Sequence, residues 1–291
     1  MSTRLPPDLL AAVVAAPDDD GPRLVLADAL LERGDPRGEL IRLQCLSRLD
    51  VDQRVRATML VRTHWREWAA GLQDVLADPP VFARGFAHRV VLGPVGRPGI
   101  RVEPDAALVR EVWGSWRRAE PTVLAQLVGL RSAWVHLEAE VRVLPPTLEV
   151  LRVDRQVPLE LLMGRFPRLR ELSMPFGGDV ALATRALETF GLERLAVGEA
   201  DDLARWLPLR ARVPHLAAVT GGWRAEWNSA DGLELELHPE GHARPRDRST
   251  GLVEAVRALP QGTHRWIWVR GGQVAEPERT GNAVRYVAKG T

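Results

Sequence analysis

Cysteine is nearly absent: Cys45 stands alone among 291 residues. No intrachain disulfide can therefore form, and a cysteine-rich zinc site is excluded. Lysine is as scarce, with Lys289 the only one, so the basic side chains are almost all arginine. That bias reads first as the coding preference of a GC-rich genome, with an arginine-dependent recognition surface as the other reading. No apolar run approaches the ~18 residues that a membrane span requires. Nothing near Met1 resembles a secretory signal either, because Leu9–Ala16 runs into three aspartates. The net charge of +1 lacks the positive excess of a dedicated polyanion binder. What is present is a globular composition, 45% hydrophobic and 26% charged. A cytoplasmic, soluble protein is expected.

The N-terminal stretch, residues 7–77, reads as four helices. Pro7 suits a first turn, and Leu9, Leu10, Val13 and Val14 recur at helical spacing. Pro17–Pro22 breaks that helix and offers an aspartate cap to the next, whose stripe is Leu24, Leu26, Ala27, Leu30 and Leu31. Arg33-Gly34 ends it, and Asp35-Pro36-Arg37-Gly38 makes a tight, exposed, charged turn. In that turn Asp35 or Glu39 is expected to pair with Arg33 or Arg37, with a docking surface as the other reading. A third helix carries Leu40, Ile41, Leu43 and Leu46, and a fourth runs through Val55, Met59, Trp65 and Trp68. After Pro80, Arg89–Leu92 suggests a first strand, and residues 104–129 suggest one or two helices with Leu108, Val112, Trp113 and Trp116 on a shared face.

The middle of the chain repeats. Leu148, Leu151 and Val153 align with Leu169, Leu172 and Met174, and again with Leu192, Leu195 and Val197. The starts fall 21 and 23 residues apart, within the 20–29 residue period of leucine-rich repeats. A weaker unit begins at Leu216, and a degenerate one surrounds Trp134–Leu137. Each unit predicts a short strand with leucines inward, backed by returning segments at Val157–Phe166 and Val180–Phe190, so that stacked neighbours share one core. The outward positions are Val150, Arg152 and Asp154, then Glu171 and Ser173, then Arg194 and Ala196. Beyond Gly221, Trp223–Trp227, Leu233–Leu237, Trp266–Val269 and Val284–Val287 alternate as strands do, with a helix at Leu252–Leu259. This β-rich tail either caps the repeats or forms a small α+β unit.

The segment Pro17–Asp20, Pro22–Asp28 and Leu31–Gln44, followed by Trp65–Trp68 and Arg84-Gly85-Phe86, resembles the bacterial repeat-companion domain family. The match is specific over about 40 residues and looser to about residue 92. The family's usual tryptophan after the Ala-Asp pair is Ala29 here. The resemblance implies a module N-terminal to leucine-rich-type repeats, with no catalytic activity to carry over. The expected architecture is α/β: a helical module over residues 1–80, an irregular leucine-rich-repeat-like solenoid over 81–220, and a β-rich tail over 221–291.

The remaining candidates for chemistry have plainer readings. Asp18–Asp20 lack the alternating ligands and distal glutamate of a calcium loop, and serve as a capping turn. His238 and His242 are split by Pro239 and Gly241, against a zinc-binding helix. Gly93–Gly99 lacks the signature of a phosphate loop, no nucleophile elbow occurs, and Cys45 lies on an apolar helix. No catalytic residue, metal site or cofactor is expected. The function expected is a non-enzymatic protein–protein interaction scaffold or adaptor. Its binding face is drawn from Trp134, Val150, Arg152, Asp154, Glu171, Ser173 and Arg194. The partner is then another protein, not a membrane or a nucleic acid, and self-association through a strand edge overlaps with this. Trp223 and Trp227 are further candidate anchors. An enzyme with a site in the C-terminal region, or a nucleic-acid binder using Arg244, Arg246, Arg248, Arg265 and Arg270 with nearby tryptophans, is the alternative.

Overall fold

The computed structural model describes residues 5–93, 102–114, 121–198, 203–219, 223–228, 232–237, 265–270, 273–275, 278–280 and 283–285. The expected helix at Leu252–Leu259, His238, His242, Trp116, Arg244, Arg246, Arg248 and nearly all of the Gly93–Gly99 turn lie outside those residues. The fold is mixed α/β with mostly parallel strand pairing. By its contacts the chain divides into two compact units, Met1–Leu148 and Glu149–Thr291. No described helix is long and apolar enough to cross a membrane.

The first unit opens with α1 (Pro7–Ala15), α2 (Asp20–Glu32), α3 (Pro36–Gln44) and α4 (Val51–Trp68). An aspartate starts three of them. Asp19 accepts the Gly21 N–H, Asp35 accepts that of Arg37, and Asp50 accepts that of Gln53, whose side chain returns to the Asp50 N–H. Each satisfies a donor that the first helical turn leaves without a partner. Leu10 and Val13 of α1 pack with Leu26 and Leu30 of α2 and Ile41 of α3. A Cβ on Gly38 would lie 2.5 Å from the Ala27 carbonyl oxygen, so only glycine lets α3 cross this close to α2. Leu24, expected in the α2 stripe, faces solvent instead, as do Val55 and Met59 of α4. The buried face of α4 is Ala57, Leu60 and Trp68.

A hairpin of β1 (Val81–Ala83) and β2 (Phe86–Leu92) follows, and α3 grips its turn. Arg84 and Gly85 both take positive φ, 53° and 81°. A side chain on Gly85 would run into Ile41, with only 2.1 Å to Cγ1. Gln44 donates to the Phe82 carbonyl (3.1 Å) and accepts the Gly85 N–H (2.8 Å). Phe86 enters the α1–α2–α3 core and Phe82 joins Leu40, Leu60 and Trp68. Leu40, Ile41 and Gln44 of α3 therefore meet the first hairpin at Phe82, Gly85 and Phe86.

The strand ladder continues through β3 (Glu111–Gly114) and β4 (Ser132–Val135), with α5 (Pro121–Leu124) between them and α6 (Glu138–Val141) after. Strands β2, β3 and β4 are parallel, with Val90, Val112 and Ala133 in register 22 and 21 residues apart. The helices expected over 104–129 are thus replaced by a 3-10 turn at Pro104–Leu108, strand β3 and the short α5. Val112 is buried while Trp113 is partly exposed, an alternation of period 2. A four-residue strand is too short to declare that period, and Leu108, Val112 and Trp116 mimic i, i+4, i+8 by chance.

The second unit runs β5 (Val150–Val153), α7 (Leu159–Leu162), β6 (Glu171–Pro175), α8 (Val180–Phe190), β7 (Arg194–Gly198), α9 (Leu203–Trp206) and β8 (His215–Val219). These four strands are parallel, and Leu151, Leu172, Leu195 and Leu216 stand in one register row, each buried. The spacing aligned in the sequence is therefore the spacing of the ladder. Val157, Leu159, Leu162 and Phe166 are buried behind one strand, and Ala183, Ala186 and Leu187 behind the next. Antiparallel β9 (Trp223–Asn228) and β10 (Gly232–Leu237), then β11 (Arg265–Arg270) parallel to β10, and β12 (Gln273–Ala275) extend the ladder. A separate hairpin pairs β13 (Glu278–Thr280) with β14 (Ala283–Arg285).

Candidate functional site

Strand alternation sends Val90, Val112 and Ala133 inward, so their neighbours form the outer face of the first unit's ladder. One register row is Arg89, Glu111 and Ser132; the next is Val91, Trp113 and Trp134. All six side chains are partly exposed. The two indoles meet edge to face, with centroids 6.0 Å apart at 65°, which is a favourable arrangement for paired ring quadrupoles. The Arg89 guanidinium lies 4.9 Å above the Trp113 ring and its Nε is 3.1 Å from the Glu111 carboxylate. His88 Nε2 stands 3.6 Å from the other Glu111 oxygen. Burial pushes the His88 pKa down and outweighs the pull of Glu111, so this imidazole is neutral at pH 7.

The edge of this face is held from behind. The Glu140 carboxylate, itself buried, accepts the backbone N–H of His136 (2.7 Å) and Leu137 (2.9 Å). That turn sets His136 with Nε2 3.3 Å from the Gly114 carbonyl, beside the tryptophans. Below β3, Arg110 donates to the carbonyl of Gly129 (2.6 Å), tying the β3–β4 connection to the strand start.

The second unit carries its own outward rows. Val150, Glu171, Arg194 and His215 form one, and Arg152, Ser173, Ala196 and Ala217 the other. Arg152 and Asp154 are exposed, whereas Val150, Glu171, Ser173 and Arg194 are partly covered. Arg194 reaches Glu226 on β9 at 2.6 Å, spanning the small side chain of Ala217. Trp227 is in register with the inward Leu216, and Arg210 sits 5.2 Å over its ring, so it is no outward anchor. Of the expected face, Val150, Glu171 and Arg194 share a row, Arg152 and Ser173 share the next, and Trp134 belongs to the other unit. Trp113, Arg89 and Glu111 were not among the expected site residues. The signal that finds them is the 21–22 residue offset carried back from Ala133 to Val112 and Val90.

The charged turns of the helical module are occupied internally. Asp35 and Arg37, expected on an exposed turn, are both buried. Asp35 caps α3, Arg37 pairs with Asp105 rather than within the turn, and Glu39 makes a two-pronged pair with Arg56. In the aspartate run, Asp18 pairs with Arg131, which holds its carboxyl below the usual range, and Asp20 pairs with Arg84. Arg23, buried, donates to the carbonyls of Pro17 and Asp19. No group of three His, Cys, Asp or Glu able to hold a metal ion occurs among the described residues.

Burial, with Asp20 close by, pushes the Cys45 thiol up to about 11. Alkylation by iodoacetamide at pH 8 is therefore expected to run about 100-fold slower than for the unfolded chain, following the thiolate fraction. A folded-state rate equal to that in urea would contradict the burial. The comparisons with family models, with curated proteins and with solved structures found no match.

Proposed function

We propose that this protein is a non-enzymatic, cytoplasmic interaction scaffold or adaptor. In this reading a repeat-companion module covers the first strand of an irregular leucine-rich-repeat-like solenoid, whose outward strand face binds another protein. The observation that carries it is the Val91–Trp113–Trp134 row. Large aromatic side chains stand partly exposed on a regular sheet face whose inward neighbours are fully packed. Tryptophan and arginine are the residues that most often dominate the energy of protein interfaces. By contrast, Trp68 and Trp206 are buried and serve packing, and Trp206 meets the Phe176 ring. The edge of the ladder is less inviting to a second strand, since Gln44 already binds the Phe82 carbonyl of β1.

Tagged full-length protein, captured from the cells that make it, is the test. A stoichiometric protein partner is expected, with affinity lowered by about 2 kcal/mol, roughly 30-fold, on Trp113→Ala. Undiminished recovery with both Trp113→Ala and Trp134→Ala would reject this face as the binding surface. The same series at Arg152 and Glu171 measures the second unit's face separately.

A further inference from the structure

We propose that the solvent side of α4 is a docking face for an acidic, amphipathic helix of a partner protein. This surface is not one of the strand rows and does not rest on the reading above.

A surface helix turns its apolar residues to the core and its charged ones to water. The inner side of α4 follows that pattern with Ala57, Leu60 and Trp68. The outer side does not: Val51, Val55 and Met59 are 65%, 57% and 50% exposed. Spaced four apart, they form one row about 12 Å long on the helix surface. The adjoining row, also at a spacing of four, is Arg54, Thr58, Arg62 and Arg66, all exposed. Single exposed hydrophobic residues are ordinary, whereas a contiguous apolar row beside polar ones marks a contact surface. The elements packed on α4, namely α3 through Leu40 and β1 through Phe82, leave this side uncovered.

Charge selects the occupant. Other exposed arginines of this module have carboxylates: Arg42 meets Asp28 and Arg56 meets Glu39, each at 2.6 Å. Among the described residues, Arg54 and Arg62 have no such partner, and Arg66 lies 4.7 Å over the Trp65 ring. On the other flank of the apolar row stand Asp52 and the already neutralised Arg56. The uncompensated charge is therefore positive and runs along one flank. A partner helix answers both rows at once, with apolar side chains three and four apart and carboxylates along the neighbouring row. A second copy docked antiparallel would lay this arginine row against its own, an unfavourable pairing. A lipid surface suits it poorly, since interfacial helices bury a broad face of Trp, Phe or Leu, and here three residues of Val and Met stand beside Asp52.

The experiment uses the full chain and a fluorescein-labelled, end-blocked alanine-based peptide, read by anisotropy. The peptide carries leucines four apart and glutamates along the adjoining helical row. Saturable binding that weakens with salt is expected. Arg54→Glu combined with Arg62→Glu should weaken it roughly tenfold and transfer the preference to a lysine-for-glutamate peptide. Val55→Asp should weaken it by a similar factor. These side chains are exposed, so the thermal midpoint of each variant should stay close to that of the parent. Equal binding of a scrambled peptide, no preference for glutamate over lysine, no binding at all, or parental affinity in both variants would overturn the proposal. So would association with phosphatidylserine vesicles in place of the peptide, or a concentration-dependent dimer dispersed by Val55→Asp, which would assign the face to a lipid surface or to a second copy. Trp113→Ala should leave peptide binding unchanged, so the strand-face reading and this one are scored separately.

Discussion

Arg37→Ala is expected to destabilise the first unit by about 3 kcal/mol, because it leaves a buried acceptor set without its cation. The Arg37 side chain is only 5% exposed. Its Nε donates to the Gly85 carbonyl at 2.9 Å, its Nη2 reaches Asp105 at 3.2 Å, and its guanidinium lies 4.5 Å over the Phe86 ring. Burial pushes its pKa down and Asp105 pushes it back up, and a guanidinium stays charged at neutral pH in any case. One residue thus fastens α3 to the hairpin turn and to the 3-10 turn at Pro104–Leu108. Removing it strands the Asp105 carboxylate, 18% exposed, and the Gly85 carbonyl. Replacing the pair together, Arg37→Leu with Asp105→Leu, should recover most of the loss, since a well-packed apolar pair can match a buried ionic one. Hydrogen exchange of the Phe86 and Val90 amides against urea reads the stability of this unit by itself. A shift below about 0.5 kcal/mol for Arg37→Ala would mean that the latch is dispensable.

Leu172→Ala should cost the second unit about 2–5 kcal/mol, the range for emptying a packed leucine site. Leu172 is 1% exposed and stands between Leu151 and Leu195 in the register row, so the cavity borders both neighbouring strands. Interdigitated walls of this kind relax only partly, which keeps the cost high. Ser173, the next residue on the same strand, points outward, and Ser173→Ala should change stability by less than about 0.5 kcal/mol. Chemical denaturation of the two variants side by side measures the alternation directly. Similar losses at both positions would contradict an inward Leu172.

Legibility followed the length over which a pattern could repeat. The leucine spacing of β5, β6 and β7 was readable because three copies kept both period and apolar identity, and β8 continued it at Leu216. The start of α2 was readable because an aspartate just ahead of a glycine has a local partner within two residues, whereas the caps at Asp35 and Asp50 were not read from the sequence. In β2 and β3 the same repeat was hidden. Val90 and Val112 replace leucine, and around β3 the spacing of Leu108, Val112 and Trp116 suits a helix equally well.

The sequence by itself determined the helical module, the period of the ladder, the inward leucines and the absence of a disulfide, since each depends on neighbours close along the chain or on composition alone. Tertiary structure decided the partners of the charged groups and the face of the tryptophans. Arg37 meets Asp105 and Arg131 meets Asp18 across separations of 68 and 113 residues, and no local pattern encodes such pairs. Trp113 became a surface residue only when β3 took its place between β2 and β4. Register against both neighbours, and not the composition of four residues, sets which way a short strand turns its side chains.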